Sequence, residues 1–386
     1  MQIAHRIQQI ATSQSLAMAA RCRALQEQGV DVINMSLGEP DQPTPLFIQK
    51  AAQQAIADNW SHYGPVPGIS SLRQAIAKHQ NAFDGNAITW QAEDVIVSVG
   101  AKAAIFNAIQ TIINEGDEVI IPTPSWVSYG EMVKLAGGKV ISIPTTAQEN
   151  YCLTAAQLRD AITSHTRLII LCSPNNPTGT IYSDSRMDEI VAVLREYPEI
   201  SILSDEIYNG LTYGTTARSW AYYTDLAERL IVVNGVSKTY AMTGYRIGWM
   251  MCKNTSFIAA CTRLQSQQFT CATMIAQKAA EAALTADQES VSYLRAEFQE
   301  RRDLICRLAR EVKGWRFVEP HGAFYLFPDV SAIANGDEVA EMLLEKAHVA
   351  VVPGSAFGDP SCIRLSFAIG NEAIIEVMHR IKTALA

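Results

Sequence analysis

Six short apolar runs set the fold class of this chain: residues 95–99, 118–122, 140–143, 167–172, 200–204 and 230–234. Most are rich in Val and Ile, and each is bounded by Gly, Pro, Asn or Asp, the residues that end strands. Longer amphipathic stretches separate them. Residues 101–113, with apolar side chains at 104, 105, 108, 109 and 112, show the helical repeat. Strands alternating with helices predict βαβ units, and so an α/β fold around a mostly parallel sheet covered on both faces.

The last hundred residues read differently. A helical pattern over about 288–312 leads into strands at 315–318 and 324–327, a helix at 337–347, strands at 350–352 and 362–367, and a closing helix from Asn371. This order predicts a smaller α+β domain. A helix at 16–28 and a strand at 32–37 precede the βαβ series and are expected to join it. No repeat, low-complexity tract or flexible linker separates the parts. A length of 386 residues suits two closely packed domains.

Composition narrows the function classes. Hydrophobic residues make up 48% and charged residues 18%, enough for a large core in a globular enzyme. A net charge of −8 without runs of like charge argues against nucleic acid or an anionic membrane as partner. The eight cysteines form neither a Cys-x-x-Cys pair nor a Cys/His cluster, so reduced thiols and no metal site are expected. The opening Met-Gln-Ile-Ala-His-Arg lacks a charged head with an apolar core, and no run of 18 apolar residues occurs. The expected location is the cytoplasm.

Chemistry-bearing residues follow the apolar runs, where open α/β sheets place ligands. Lys238 lies just past the run 230–234; alone it reads as a surface lysine, but burial would lower its proton affinity and suit it to Schiff-base chemistry. Asp205 and Tyr208, in Ser204-Asp205-Glu206-Ile207-Tyr208, end the preceding run; Asp205 is either a helix cap or a buried carboxylate for a protonated ring nitrogen. Ser173-Pro174-Asn175-Asn176-Pro177-Thr178-Gly179 is a rigid turn that presents Asn176. Gly100-Ala101-Lys102 opens a helix after a strand, a place for an anion, with Ser237 and Arg246 able to complete it. Trp126 is a core side chain or a stacking platform. Arg364, a charge inside an apolar strand, needs a partner: an internal acid or a bound carboxylate.

Together these segments resemble the class I/II pyridoxal-phosphate aminotransferases of fold type I, bacterial aspartate aminotransferases above all. The resemblance runs from Gly29-Val30-Asp31 through Gly38-Glu39-Pro40-Asp41, His62-Tyr63-Gly64-Pro65 and Asn175-Asn176-Pro177-Thr178-Gly179. It continues through Ser237-Lys238-x-Tyr240-Ala241-Met242-Thr243-Gly244-x-Arg246-Ile247-Gly248 to Arg364. It implies a large cofactor domain at 45–285 with a seven-stranded sheet, and a small domain built from 1–44 and 286–386. By the same resemblance Lys238 carries pyridoxal 5′-phosphate as a Schiff base and shuttles the substrate proton. Asp205 pairs with the ring nitrogen, Asn176 and Tyr208 hold the ring oxygen, and Trp126 stacks on the ring. Gly100, Ala101, Lys102, Ser237 and Arg246 take the phosphate, with Tyr63 supplied by the neighbouring subunit of a homodimer. Arg364 and Gly38 take the substrate α-carboxylate beside Trp126 and Asn176, and Lys102 meets a distal carboxylate.

The expected reaction is therefore ping-pong transamination, with aspartate as donor and 2-oxoglutarate as a typical acceptor. Two departures qualify the resemblance: Gly235 stands where some relatives carry a phosphate-binding serine, and residues 11–15 lack the lysine of relatives acting on aspartate and prephenate. The second departure argues against prephenate. Gln267-Gln268-Phe269-Thr270 is similar to aminotransferases of methionine and aromatic amino acids, which leaves broad specificity, alanine included, as the alternative. A β-lyase of the same fold is a further alternative. A dinucleotide dehydrogenase would need a Gly-x-Gly-x-x-Gly turn that is missing here.

Overall fold

The computed structural model describes residues 1–12, 14–83 and 85–386; Ser13, inside the lysine-free stretch 11–15, and Asp84 lie outside the described residues. The strands in chain order are β1 Ile33–Asn34, β2 Val95–Val99, β3 Glu118–Thr123, β4 Lys139–Pro144, β5 Thr166–Cys172, β6 Ser201–Asp205, β7 Leu230–Gly235 and β8 Ile247–Met251. They continue with β9 Tyr325–Leu326, β10 Val349–Ala350, β11 Val352–Pro353 and β12 Ile363–Ser366. Seven of them form one sheet in the order β2-β8-β7-β6-β5-β3-β4. β8 runs antiparallel to both neighbours, and the others are parallel. The six apolar runs are all strands of this sheet, and β8 is the one the strand pattern missed.

Helices cover both faces of the sheet. Gly100–Ile112 buries Ala104, Ile105, Ala108 and Ile109 against one face, with Ser128–Leu135 and Thr255–Gln268 beside it. Ser70–Asn81, Asp184–Glu196 and Met274–Thr285 pack on the other. A second core gathers Glu289–Ala309, Gly336–Ala347 and Asn371–Leu385 around the three-stranded order β11-β12-β9. The N-terminal segment reaches this part of the molecule, because β1 pairs in parallel with β10. The strand expected at 315–318 is absent; Arg316 makes only an isolated bridge to Asp329. The strand expected at 350–352 is split between β10 and β11, and the one at 32–37 shrinks to two residues. No described helix is long and apolar enough to cross a membrane.

Candidate active site

The C-terminal ends of the parallel strands open on a cavity of about 280 Å³. Its wall brings together Lys238, Asp205, Tyr208, Asn176, Trp126, Ala101, Lys102, Ser237, Arg246, Gly38 and Arg364. Of the residues expected from the sequence, two lie elsewhere. Gly100 stands just behind the wall at the start of its helix, and Tyr63 is 89% exposed on the outer surface, away from its own chain's cavity.

Lys238 follows β7, and its Nζ donates to the Gly38 carbonyl at 2.5 Å. Loss of solvation lowers its proton affinity to about pKa 8; Glu39 works against that shift, and Arg246 and Arg364 add to it. Asp205 ends β6 and is 4% exposed. Its Oδ2 accepts from the Tyr129 hydroxyl at 2.6 Å, and its Oδ1 accepts from the Ile207 amide at 3.2 Å. Burial raises the carboxyl to about pKa 6, and these two hydrogen bonds hold the shift down. The neighbouring Glu206 faces away, accepting from Ser204, Ser219 and the Trp220 amide, and burial raises it to about 7. Adjacent carboxylates of one strand end thus serve different places, as the period of two requires.

Arg364, on β12, is 3% exposed, and no carboxylate pairs with it among the described residues. Its Nη1 donates to Asn176 Oδ1 at 3.0 Å, its Nη2 to the Ser36 carbonyl at 2.6 Å, and its Nε has no partner. Of the two readings, the internal acid therefore falls away. A buried cation without a counter-ion is costly, and it favours an incoming anion. Because Asn176 spends its oxygen on Arg364, its amide NH₂ faces the cavity as donor. Asn175 is structural: its NH₂ ties the turn to the Pro124 carbonyl and Thr178 Oγ.

The anion end of the cavity is the start of helix Gly100–Ile112. No side chain caps it, so its first amides are unclaimed, and its positive end points inward. Gly100 has φ 79°, and a Cβ there would collide with Arg246 Nη2. A Cβ on Gly248 would overlap the Ala101 amide nitrogen. These glycines let the amides, Ser237 and the guanidinium converge. Lys102 Nζ lies 4.8 Å above the Trp126 ring, and burial together with Arg246 lowers its proton affinity. Pyridoxal phosphate fits these groups: a buried carboxyl for a cationic ring nitrogen, an amine of lowered pKa, an uncapped helix start with an arginine for phosphate, and a platform for the ring. Sequence reasoning missed Tyr129, which holds Asp205, Tyr325, whose hydroxyl lies 2.8 Å from Tyr208, and Glu39, hydrogen-bonded by Thr243. Tyr129 and Tyr325 carry no chemical signal of their own, and Glu39, although in the segment Gly38-Glu39-Pro40-Asp41, gives no sign of facing Lys238; only the fold exposes these roles.

Known proteins resemble this chain over nearly its whole length. Residues 30–381 match the family described as aminotransferase class I and II. An aspartate aminotransferase of Bacillus sp. (strain YM-2) is 41% identical, over 98% of each chain. A probable aspartate/prephenate aminotransferase of Aquifex aeolicus is 38% identical, covering 99% of this chain and 98% of its own. Among solved structures, aspartate aminotransferase from Thermus thermophilus with maleate superposes over 100% of both chains, with a TM-score of 0.95 and 37% identity.

Proposed function

The chain belongs to the class I and II aminotransferases, a pyridoxal-phosphate-dependent family, and from that membership we propose that it moves the amino group of L-aspartate to a 2-oxo acid such as 2-oxoglutarate in a ping-pong reaction. The observation that carries this reading is Arg364, a buried cation with no acidic partner, opening on the same cavity as the Lys238 amine and the Asp205 carboxyl. One end of that cavity suits an α-carboxylate, and Lys102 offers a second cation for a distal one. The relative solved with maleate, a dicarboxylate, supports the same choice.

When bound, pyridoxal phosphate supplies a carbonyl carbon that an amine can join and a ring that draws electrons from the substrate α-carbon. Lys238 tethers the cofactor and, once displaced by the substrate amine, moves the proton at the α-carbon; it must be neutral to accept it. Asp205 keeps a proton on the ring nitrogen and regains a full negative charge beside it. Tyr208 and the Asn176 amide donate to the ring oxygen, and Trp126 stacks on the ring. The amides of Gly100, Ala101 and Lys102, with Ser237 and Arg246, hold the phosphate. Arg364 and the Gly38 backbone orient the α-carboxylate. Tyr63 reaches the phosphate of the partner subunit in a cytoplasmic homodimer. Residues 45–285 form the cofactor domain, with 1–44 and 286–386 as the small domain.

One observation favours broader specificity: Leu16, Leu37 and Ile105 line the same cavity, and Arg246 and Arg364 are its only arginines among the described residues. Lys102→Ala separates the readings. With aspartate as substrate it raises KM by about 10-fold or more, the worth of a charge-assisted contact, and with alanine it changes KM little. Equal changes for both donors would refute recognition of a distal carboxylate by Lys102.

A further inference from the structure

Tyr325 stands in β9, a strand of two residues, and its context Phe324-Tyr325-Leu326 reads as core. It is 1% exposed, yet it forms part of the cavity wall. Its hydroxyl lies 2.8 Å from that of Tyr208, and its ring centroid lies 4.5 Å from the Arg364 guanidinium carbon. Gly38 packs so tightly over it that a Cβ there would sit 2.5 Å from the Tyr325 oxygen. One side chain therefore touches three groups assigned above to the cofactor and the α-carboxylate.

We propose that Tyr325 is a positioning residue with two separable roles: its hydroxyl turns the Tyr208 hydrogen into the cavity, and its ring fixes the plane of Arg364. The first role follows from counting hydrogens. Each phenol has one to give, and neither hydroxyl has another protein acceptor among the described residues. If Tyr208 donates into the cavity, the hydrogen between the two oxygens belongs to Tyr325, and that donation strengthens Tyr208 as a donor in turn. Arg364, on β12, is the formal charge facing both hydroxyls; Cys172, on β5, also faces them, and burial pushes its thiol up, so it stays neutral. The second role follows from the missing counter-ion. The guanidinium carbon lies 4.5 Å from the ring centroid of Tyr325 and 4.9 Å from that of Phe357, contacts that hold a flat cation in place while its Nε has no hydrogen-bond partner.

The proposal rests on the roles given above to Tyr208 and Arg364, and its test carries controls for both. In the holoenzyme, Tyr325→Phe raises the midpoint pH of the cofactor's absorption change by about half a unit, because a more weakly held ring oxygen is more basic. Its Kd for maleate stays within about twofold. Tyr208→Phe moves the midpoint further in the same direction, and the double variant adds nothing to it. Tyr325→Leu weakens maleate binding by about 5- to 30-fold, as Arg364→Lys also does. If Tyr208→Phe shifts the midpoint and Tyr325→Phe does not, or the two shifts add, the hydroxyl role is overturned. If Arg364→Lys weakens maleate and Tyr325→Leu does not, the ring role is overturned. If the Tyr208 and Arg364 controls leave both readouts unchanged, the underlying reading fails, and the role of Tyr325 fails with it.

Discussion

A lysine side chain in water keeps its proton to about pH 10.4, and Lys238 gives it up near 8 because the cavity wall removes its solvation. Among the charges around it, Glu39 acts first against this shift, with Asp205 on the same side, while Arg246 and Arg364 act with it. Glu39 is exposed, and the Thr243 hydroxyl holds it at 2.9 Å. A nearby anion favours the ammonium form, so removing that charge lets the proton leave at lower pH. In Glu39→Gln, which keeps an acceptor for Thr243, the acid limb of the kcat–pH profile therefore moves down by roughly 0.3 unit. The shift shrinks at high salt, since Glu39 is open to solvent. An acid limb that stays put or rises would remove Glu39 from the electrostatics of Lys238.

At the scale of elements, the site depends on how closely helix Gly100–Ile112 approaches β8. Gly248 pairs with Ser98 on one side and Gly235 on the other, and its missing side chain makes room for the Ala101 amide. Backbone atoms occupy that space and cannot rotate away. Gly248→Ala is thus expected to cost about 1–3 kcal/mol of stability and to weaken cofactor binding by displacing the helix start. Gly244→Ala, on the same segment with nothing within 4 Å of its Cβ position, is the matched control and leaves both nearly unchanged. Thermal melts and cofactor titration of the two variants check this, and equal behaviour would refute it. β8 also marks the limit of what the sequence displayed. Six strands were legible because Val and Ile runs ended at turn residues. Ile247-Gly248-Trp249-Met250-Met251 has neither alternation nor a β-branched run, and it directly follows the lysine segment. Most site residues named in advance stand in short motifs, and Arg364 stood out as a charge inside an apolar strand, whereas Tyr129 and Tyr325 stand 76 and 117 residues from their hydrogen-bond partners. Sequence pattern records local chemistry; a contact across such distances exists only once the sheet has brought strand ends together.

For the whole molecule, one segment of the surface leaves several large apolar side chains open to solvent. Helix Leu46–Ala57 leaves Leu46, Phe47 and Ile56 open at 64%, 37% and 63%, and the turn after it leaves Tyr63 at 89%. Large apolar side chains left open along one segment suit an interaction surface. They agree with the proposed homodimer, in which Tyr63 completes the phosphate site of the partner subunit. Complementation tests that geometry without a structure of the dimer. Lys238→Ala lacks the base, Tyr63→Ala lacks the group lent to the neighbour, and each alone has little turnover. In a heterodimer of the two, one site carries both defects and the other carries neither. Random reassortment makes half of all dimers heterodimers, with one intact site in two, so mixing and refolding equal amounts should restore about a quarter of wild-type activity. If Tyr63 served its own chain's site, every site in the mixture would carry a defect. Activity would then stay at the level of the separate variants, and the shared site would have to be abandoned.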